Sequence, residues 1–283
     1  MTHSQKATLV GAVLVLPVVV GLTYALLGAT DVIGGLGQPR GFVRLQRVLT
    51  EPAVWRGTMW ALWVAIASTT LAALLAVVLS LVYAGTSRTD RLARALMTVP
   101  LAFPYLVAAT VGLLVLSQSG MLGRLFMWTG LITTSAQMPE LVADRFGIGV
   151  ILTLVWKEAP FLLLINAAVL SGHGGGYQEV ARTHGASRWQ VLQRITWPLL
   201  WRGLSPALVA VGVFSFGSYE TMVLLAPSNP LALPLLTAER YVDPSLARRN
   251  DAFVLALLGM VIGLIAVAIH ERIRSRVDDL GNV

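Results

Sequence analysis

Long apolar stretches, separated by shorter polar ones, dominate the pattern along this chain. Six of them approach the roughly 20 residues that a helix needs to cross a bilayer, at residues 7–28, 57–84, 96–117, 147–170, 199–225 and 252–270. Because backbone polar groups must be hydrogen-bonded within lipid, each stretch is predicted to be a helix. The pattern therefore predicts an all-α membrane protein, in which six transmembrane helices form one domain over residues 1–283.

Composition agrees with the membrane prediction and excludes several classes of site. Hydrophobic residues make up 56% of the chain and charged residues 12%, and a soluble protein has no interior for so much apolar surface. The chain has no cysteine, so it offers neither disulfides nor thiolate metal ligands, and no metal site is predicted. Its net charge of +7 comes from basic residues spread over short loops. We therefore expect contact with the lipid bilayer and no nucleic-acid binding.

Loop charges predict the side of the membrane on which each terminus lies. An even number of spans puts both termini on one side, and the positive-inside rule gives most weight to short loops. The loops on the side of the termini carry few acids. The acidic residues of the opposite side are Asp31, Glu51, Glu140, Asp144, Glu239, Asp243 and Asp251. Both termini are therefore predicted to be cytoplasmic, as is the polar loop at residues 177–198.

This loop, between the fourth and fifth spans, has the pattern of two short helices. Its sequence at residues 179–198 is EVARTHGASRWQVLQRITWP. Gly185 can adopt the positive φ that ends the first helix, and Ser187 is predicted to cap the second. Pro198 is predicted in the first turn of the following helix, where its missing N–H costs little. One face of the second helix is predicted to carry Val191, Leu192, Ile195 and Leu199.

The loop closely resembles the EAA loop, the signature of permease subunits of binding-protein-dependent ATP-binding cassette (ABC) importers. The residues that match its pattern are Glu179, Ala181, Gly185, Ala186, Leu192, Ile195 and Pro198. Val180, His184 and Trp197 depart from the usual residues, but they leave the leading carboxylate and the glycine break in place. Over nearly its whole length the chain is similar to this family.

The resemblance implies a type I ABC importer permease fold in the bacterial inner membrane. The loop would form the cytoplasmic coupling helices between helices 5 and 6 of the family core, here between the fourth and fifth spans. The residues implied to couple to the ATPase are Glu179, Ala181, Gly185, Ala186, Ser187, Leu192 and Ile195. The implied partners are an ABC ATPase dimer, a second permease subunit (identical or paralogous) and an extracytoplasmic solute-binding protein.

The chain itself is predicted to be neither an enzyme nor a nucleotide-binding protein. The glycines around His173 follow a predicted membrane helix rather than a strand, and the GK[ST] of a P-loop does not follow them. A flexible hinge is predicted there instead. ATP and magnesium would be bound by the partner ATPase, and this chain would hold no cofactor.

Polar residues within the predicted spans are candidates for the lining of a solute path. Lys157 and Glu158 lie near the middle of the fourth span, where each charge costs about 2.5–3.5 kcal/mol on insertion scales. Two roles fit them equally well: they line the solute path or its gate, or they form structural ion pairs with neighbouring helices. The further candidates are Asn166, Ser215, Tyr219 and Glu220. Helix–helix hydrogen bonds are the alternative role for Asn166 and Ser215, and an interfacial anchor for Glu220.

The chain resembles in particular the permeases of polyamines, thiamine and related small organic solutes. The stretches that carry this resemblance are APSNPLALPLL followed by RYVDPSLARRNDA in an outer loop, and WKEAPF at residues 156–161. It implies a small organic cation as substrate, while sulfate, iron and sugars stay open because specificity in these systems rests largely with the binding protein. Glu158 and Glu220 would suit a cation, whereas Lys157 would not.

Two other classes of function stay open at this point. One is a membrane-embedded enzyme that uses Ser215 or Ser218 with Glu220 or His173, although neither G-x-S-x-G nor H-E-x-x-H occurs. The other is a channel that works alone, which leaves the cytoplasmic loop unexplained.

Overall fold

The computed structural model describes residues 3–32, 42–83 and 87–281, apart from the side chains of residues 3–12, 14, 173–175, 178, 179 and 276–281. The α-helices of those ranges are α1 (His3–Ala29), α2 (Val43–Leu49), α3 (Pro52–Val82), α4 (Arg88–Met97), α5 (Tyr105–Leu116), α6 (Met121–Trp128), α7 (Ile148–Val169), α8 (Gly175–Thr183), α9 (Arg188–Val191), α10 (Trp197–Phe216), α11 (Tyr219–Leu225), α12 (Leu233–Tyr241) and α13 (Leu246–Gly281). They divide between two compact units, Met1–Met59 with Leu231–Ile265, and Trp60–Pro230 with Ala266–Val283. Both α3 and α13 contribute to each unit.

Aromatic rings join α1, α12 and α13 in the first unit. The ring of Phe253 on α13 meets Tyr24 of α1 edge-on, with centroids 5.4 Å apart, and Tyr241 of α12 at 6.3 Å. Gly28 permits this approach, because a Cβ at its position would overlap the Phe253 ring. The short helix α2 buries Arg44 and Val48.

The core of the second unit forms where α7 packs against α3 and α10. Its buried residues are Ala72, Ala76, Ala159, Leu162, Leu163, Leu200, Leu204 and Val211. α7 also contacts α5 and α11. In its most apolar stretch 61% of the residues are buried, against 22–39% in the other long apolar helices. A polar side chain on α7 therefore has protein around it, and must find its hydrogen-bond partners there.

Five segments of the described residues are long and apolar enough to cross a membrane: Pro52–Val82, Tyr105–Trp128, Ile148–Gly172, Arg188–Phe216 and Leu246–Ser275. They overlap the second to sixth predicted spans. The first predicted span coincides with α1, whose described apolar stretch is the shorter Val15–Ala29. The all-α membrane fold is thus confirmed, whereas the count of six spans, the orientation of the termini and the single domain stay predictions.

Two of the predicted spans are interrupted in the structure. The third, at residues 96–117, is expected to kink at Pro100 and Pro104. Its helix instead begins only at Tyr105, because Phe103 is extended (φ −84°, ψ 132°), as the residue before a proline prefers. The fifth, at residues 199–225, breaks between α10 and α11, where Ser218 leaves the helical region (φ −71°, ψ 84°).

Candidate functional site

The loop between α7 and α10 has the local structure that its sequence predicts. Gly185 has φ +83°, in the left-handed region that glycine adopts without strain, and the first short helix, α8, ends just before it. Ser187 caps α9: its Oγ accepts a hydrogen bond from the Gln190 backbone N–H at 3.3 Å, and the Gln190 Oε1 accepts from the Ser187 N–H at 2.8 Å. This reciprocal capping box fixes the start of the second helix.

A π-helical turn at Leu192–Thr196 joins α9 to α10 without a break. Pro198 has no N–H to donate, and an extra residue in the turn is one way in which a helix accommodates that loss. Val191, Thr196 and Leu200 are buried along this helix. The other residues of the predicted face, Leu192, Ile195 and Leu199, are half-buried, whereas the positions between them are exposed.

An open groove lies between α8 and the helical segment that leads into α10. Its lining is Tyr177, Val180, Ala181, His184, Arg194, Ile195, Pro198, Leu199 and Arg202. Ala181 and Ile195, both predicted to couple to the ATPase, therefore line one surface. Of the other predicted coupling residues, Ala186 and Leu192 are half-buried and Ser187 is exposed. Glu179 lies in α8, and its side chain is outside the described part of the chain.

Lys157 and Glu158 on α7 are both buried and are linked through a residue that the sequence analysis did not select. The hydroxyl of Tyr105 donates a hydrogen bond to the Glu158 carboxylate. The Lys157 ammonium lies 4.9 Å from the centroid of the same ring and donates to the Leu101 carbonyl oxygen at 3.3 Å. Phe214 of α10 packs on Tyr105, with ring centroids 4.5 Å apart. The start of α5, after the proline break, is what brings Tyr105 to α7.

The remaining path candidates have different surroundings. Asn166 is fully buried and donates to the Ser80 Oγ at 3.1 Å, which is a contact between α7 and α3. Ser215 is also fully buried, and its Oγ has no hydrogen-bond partner among the described residues. Tyr219 and Glu220, in the first turn of α11, are exposed. Ser218 hydrogen-bonds to Thr221 at 3.1 Å, and the side chain of His173 lies outside the described part.

The first unit contains a buried cluster of charges whose members the sequence analysis treated only as loop charges. The Arg44 guanidinium binds both carboxylate oxygens of Asp31, at 2.8 and 2.6 Å, and one oxygen of Asp251 at 2.5 Å. It also donates to the Ala247 carbonyl oxygen. Arg47 reaches the same Asp251 oxygen at 2.5 Å. These contacts tie the end of α1 to α2 and to the beginning of α13.

Further hydrogen bonds complete this arginine cluster. Asn250 donates to Asp31 at 3.2 Å, and Arg240 of α12 pairs with Glu51. Burial alone raises the pKa of Asp31, but the hydrogen bonds from Arg44 and Asn250 outweigh it, so this pKa lies below its ordinary value of 3.8. No sequence signal pointed to this cluster, because Arg44 and Asp251 are 207 residues apart along the chain.

Comparison with known proteins decides the family. Residues 82–279 match the family described as "Binding-protein-dependent transport system inner membrane component". The chain belongs to this family. It is therefore a multi-pass inner-membrane subunit of an ABC importer, and neither an enzyme nor a channel that works alone. Its family has no cofactor of its own, and no group of His, Cys, Asp or Glu suited to a metal ion occurs among the residues the structure describes.

Two individual relatives show how similar this permease is to other permeases. It is 31% identical over 163 residues to the inner membrane ABC transporter permease protein YnjC of Escherichia coli (strain K12), covering 57% of this chain but 30% of YnjC. It is 26% identical over 257 residues to the molybdenum transport system permease protein ModB of Mycobacterium tuberculosis (strain ATCC 25618 / H37Rv), covering 89% of this chain and 90% of ModB.

The fold of this permease is similar to that of a solved ABC transporter structure. The permease superposes with a TM-score of 0.73 on a chain of a bacterial alginate ABC transporter in complex with an alginate pentasaccharide-bound periplasmic protein. The match covers 97% of this chain and 93% of that one at 18% sequence identity. Likeness at this identity establishes the fold alone, and the ABC importer permease fold expected from the sequence is thereby confirmed.

Proposed function

We propose that this permease couples a solute path to a separate ATPase through the loop at residues 177–198. The observation that carries the proposal is the helix break at Gly185, with a capped helix after it and a groove between the two parts of the loop. The capping box and the left-handed glycine define the local backbone geometry on which a partner protein would dock. ATP and magnesium are bound by the ATPase dimer, and closure of that dimer moves the loop and the helices attached to it.

The coupling residues in this proposal are those of the sequence prediction, Glu179, Ala181, Gly185, Ala186, Ser187, Leu192 and Ile195. Exposed apolar side chains beside them, including Val180 and Trp189, suit burial against a partner protein. The continuous helical backbone from α9 through α10 supports direct transmission into the fifth span. A partner that pushes on α9 would thereby displace the membrane helix itself.

The proposed path lining starts from Lys157, Glu158, Tyr219 and Glu220. Charged groups that are buried in a span at a cost are typical of transport paths, and Tyr219 and Glu220 are exposed and free to meet a solute. Asn166 and Ser215 contribute only if helices move apart, since both are fully buried in this conformation. A second permease subunit, identical or paralogous, completes the path, and an extracytoplasmic binding protein delivers the solute.

A small organic cation, such as a polyamine or thiamine, is the substrate that the resemblance of the sequence implies. The relatives do not support this finer proposal, because their names and descriptions give molybdenum and the acidic polysaccharide alginate. The carboxylates of Glu158 and Glu220 are what favour a cation, and Lys157 opposes it. Uptake assays with the binding protein that co-purifies with the complex would choose between cation and anion.

The test of coupling is co-purification of an ATPase with this permease through a tag on the full chain. In Gly185→Pro, the proline fixes φ near −65° and cannot adopt the observed +83°, so the loop is distorted. We expect the ATPase and solute uptake to be lost while the chain remains in the membrane fraction. Glu179→Arg is expected to have the same effect by reversing the leading charge.

The matched control is Gly172→Ala, compared with Gly185→Ala. An added Cβ meets open space at both positions, but only Gly185 has a positive φ, which costs an alanine about 1–2 kcal/mol. Loss of ATPase co-purification and of solute uptake in Gly185→Ala, but not in Gly172→Ala, supports the proposal. Retention of ATPase and uptake in both Gly185→Pro and Glu179→Arg would remove the coupling role of this loop.

A further inference from the structure

One side of the short helix α4 is exposed, with basic side chains near its start and apolar side chains towards its end. No residue of α4 is buried. Arg88, Arg91, Leu92 and Leu96 point away from the protein, with Leu92 and Leu96 exposed at 61% and 62%. The exposed face therefore begins with two arginines and continues into leucines, in the direction of the third span.

α4 is held firmly in place by its other side. The Arg94 guanidinium donates to the Tyr83 carbonyl oxygen at 2.9 Å, which fixes the helix to the end of α3. Ser87 and Asp90 form a capping box, with the Asp90 N–H donating to the Ser87 Oγ at 3.1 Å. The Asp90 carboxylate is thus hydrogen-bonded to Ser87 at the helix start, and no ion pair joins it to Arg88 or Arg91 in the part of the chain that the structure describes.

We propose that the exposed face of α4 binds anionic phospholipid, with Arg88 and Arg91 holding a headgroup phosphate and Leu92 and Leu96 lying among the acyl chains. The two arginines are three residues apart, which puts them on neighbouring positions one turn along the same face. Guanidinium groups bind phosphate oxygens bidentately. A helix with a basic and an apolar part on one exposed surface is typical of a membrane-interface element.

The position of α4 in the chain favours lipid over a protein partner. α4 connects the second predicted span to the third, so both of its ends lead into membrane-spanning segments. Val82 before it is exposed at 65% and Val99 after it at 48%, which continues the apolar surface on either side. The arginine side chains can then reach the headgroups while the leucines remain in the apolar layer.

The absence of cysteine from the chain allows a direct test with the full-length protein. Leu92→Cys carries a single fluorophore, and the protein is placed in vesicles of one fixed mixture of phosphatidylcholine and phosphatidylglycerol. Only one lipid class at a time has brominated, and hence quenching, acyl chains. Each basic residue near a membrane surface contributes about a fivefold preference for anionic lipid. We expect phosphatidylglycerol to be enriched about fivefold or more near Leu92 at low salt, and less at high salt.

Matched variants identify the arginines as the cause. Arg88→Gln with Arg91→Gln should return the quenching ratio to that of the bulk mixture, and the corresponding lysine pair should keep the preference. Arg248→Gln with Arg249→Gln removes the same charge elsewhere and should leave the ratio at Leu92 unchanged. A fluorophore at Leu74→Cys, on an exposed position of α3, should show no lipid preference.

Three results would overturn the proposal. Equal quenching by both brominated lipids at Leu92 would exclude recognition of the headgroup charge. A preference that persists in the double glutamine variant would assign it to other residues. Quenching by aqueous iodide, without quenching by either lipid, would show that α4 faces water or a partner protein instead.

Discussion

Arg44 and Lys157 are two cations buried to the same degree, at 5% and 6% exposure, but their charges are compensated in different ways. Arg44 meets two carboxylates through short, partly bidentate hydrogen bonds. Lys157 meets a carbonyl oxygen and the face of an aromatic ring, and its neighbour Glu158 accepts a hydrogen bond from Tyr105. Equal burial thus comes with full pairing in one region and with weaker partners in the other.

The difference teaches that burial alone does not measure what a charged residue contributes. Removing one member of a buried ion pair leaves the other charge uncompensated, and this costs about 3–5 kcal/mol. A buried ammonium with weak partners has already lost its hydration, so its removal relieves a cost instead. Such a residue has to be explained by something other than stability. This reasoning separates a structural cluster around Arg44 from a candidate functional site around Lys157.

The largest expected effect is that of Arg44→Met. Asp31 would lose two hydrogen bonds and Asp251 one, and both carboxylates are buried. We expect the free energy of unfolding to fall by about 3–5 kcal/mol, measured by denaturation in mixed detergent micelles. Arg248→Ala is the control, because its pair with Asp243 is exposed and should contribute about 0–1 kcal/mol. Similar losses in both variants would contradict the assigned difference between buried and exposed pairs.

The pH dependence of stability should show the same cluster with a smaller effect. The pKa of Asp31 is lower in the folded protein than its ordinary value of 3.8, so the unfolded chain binds this proton first as the pH falls. The stabilisation is therefore complete above about pH 5 and is lost progressively below it. Asp31→Asn should flatten this part of the pH profile. An unchanged acid limb in Asp31→Asn would assign the titration to other carboxylates.

How much of this could be predicted differs between the two regions. Lys157 and Glu158 stood out in the sequence because charges within an apolar span are costly, and this signal is local. The arginine cluster gave no such signal, because its charges lie between spans and its partners come from distant parts of the chain. The membrane spans and the loop with Gly185 and Ser187 were predictable because their signals also lie within short stretches of sequence.

The failures of sequence reasoning also have physical causes. The break before Tyr105 follows from Pro104 acting on Phe103, which a count of apolar residues does not register. The π turn at Leu192–Thr196 adds a residue to the helix shortly before Pro198, which a pattern of apolar positions does not register. Tyr105 was missed because an aromatic residue in an apolar span is unremarked until its hydroxyl meets Glu158.

Tyr105→Phe should have an intermediate effect on stability. Removing the hydroxyl leaves the buried Glu158 without this donor, which costs about 1–3 kcal/mol. Tyr241→Phe is the control, since that tyrosine is exposed. A double-mutant cycle with Glu158→Gln should give a coupling energy of about 1 kcal/mol or more. Additive effects of the two substitutions would show that the hydrogen bond contributes little.

The smallest expected effect on stability is that of Lys157→Met. Methionine has a similar length and fills irregular space, while the buried ammonium is removed. We expect a change within about 1 kcal/mol, or a gain in stability, in contrast to Arg44→Met at the same burial. Solute uptake by the assembled transporter decides the rest: lost uptake with unchanged stability would assign Lys157 to the path. A loss of stability as large as that of Arg44→Met would instead show that its carbonyl and ring contacts compensate the charge as well as two carboxylates do, and the comparison would fail.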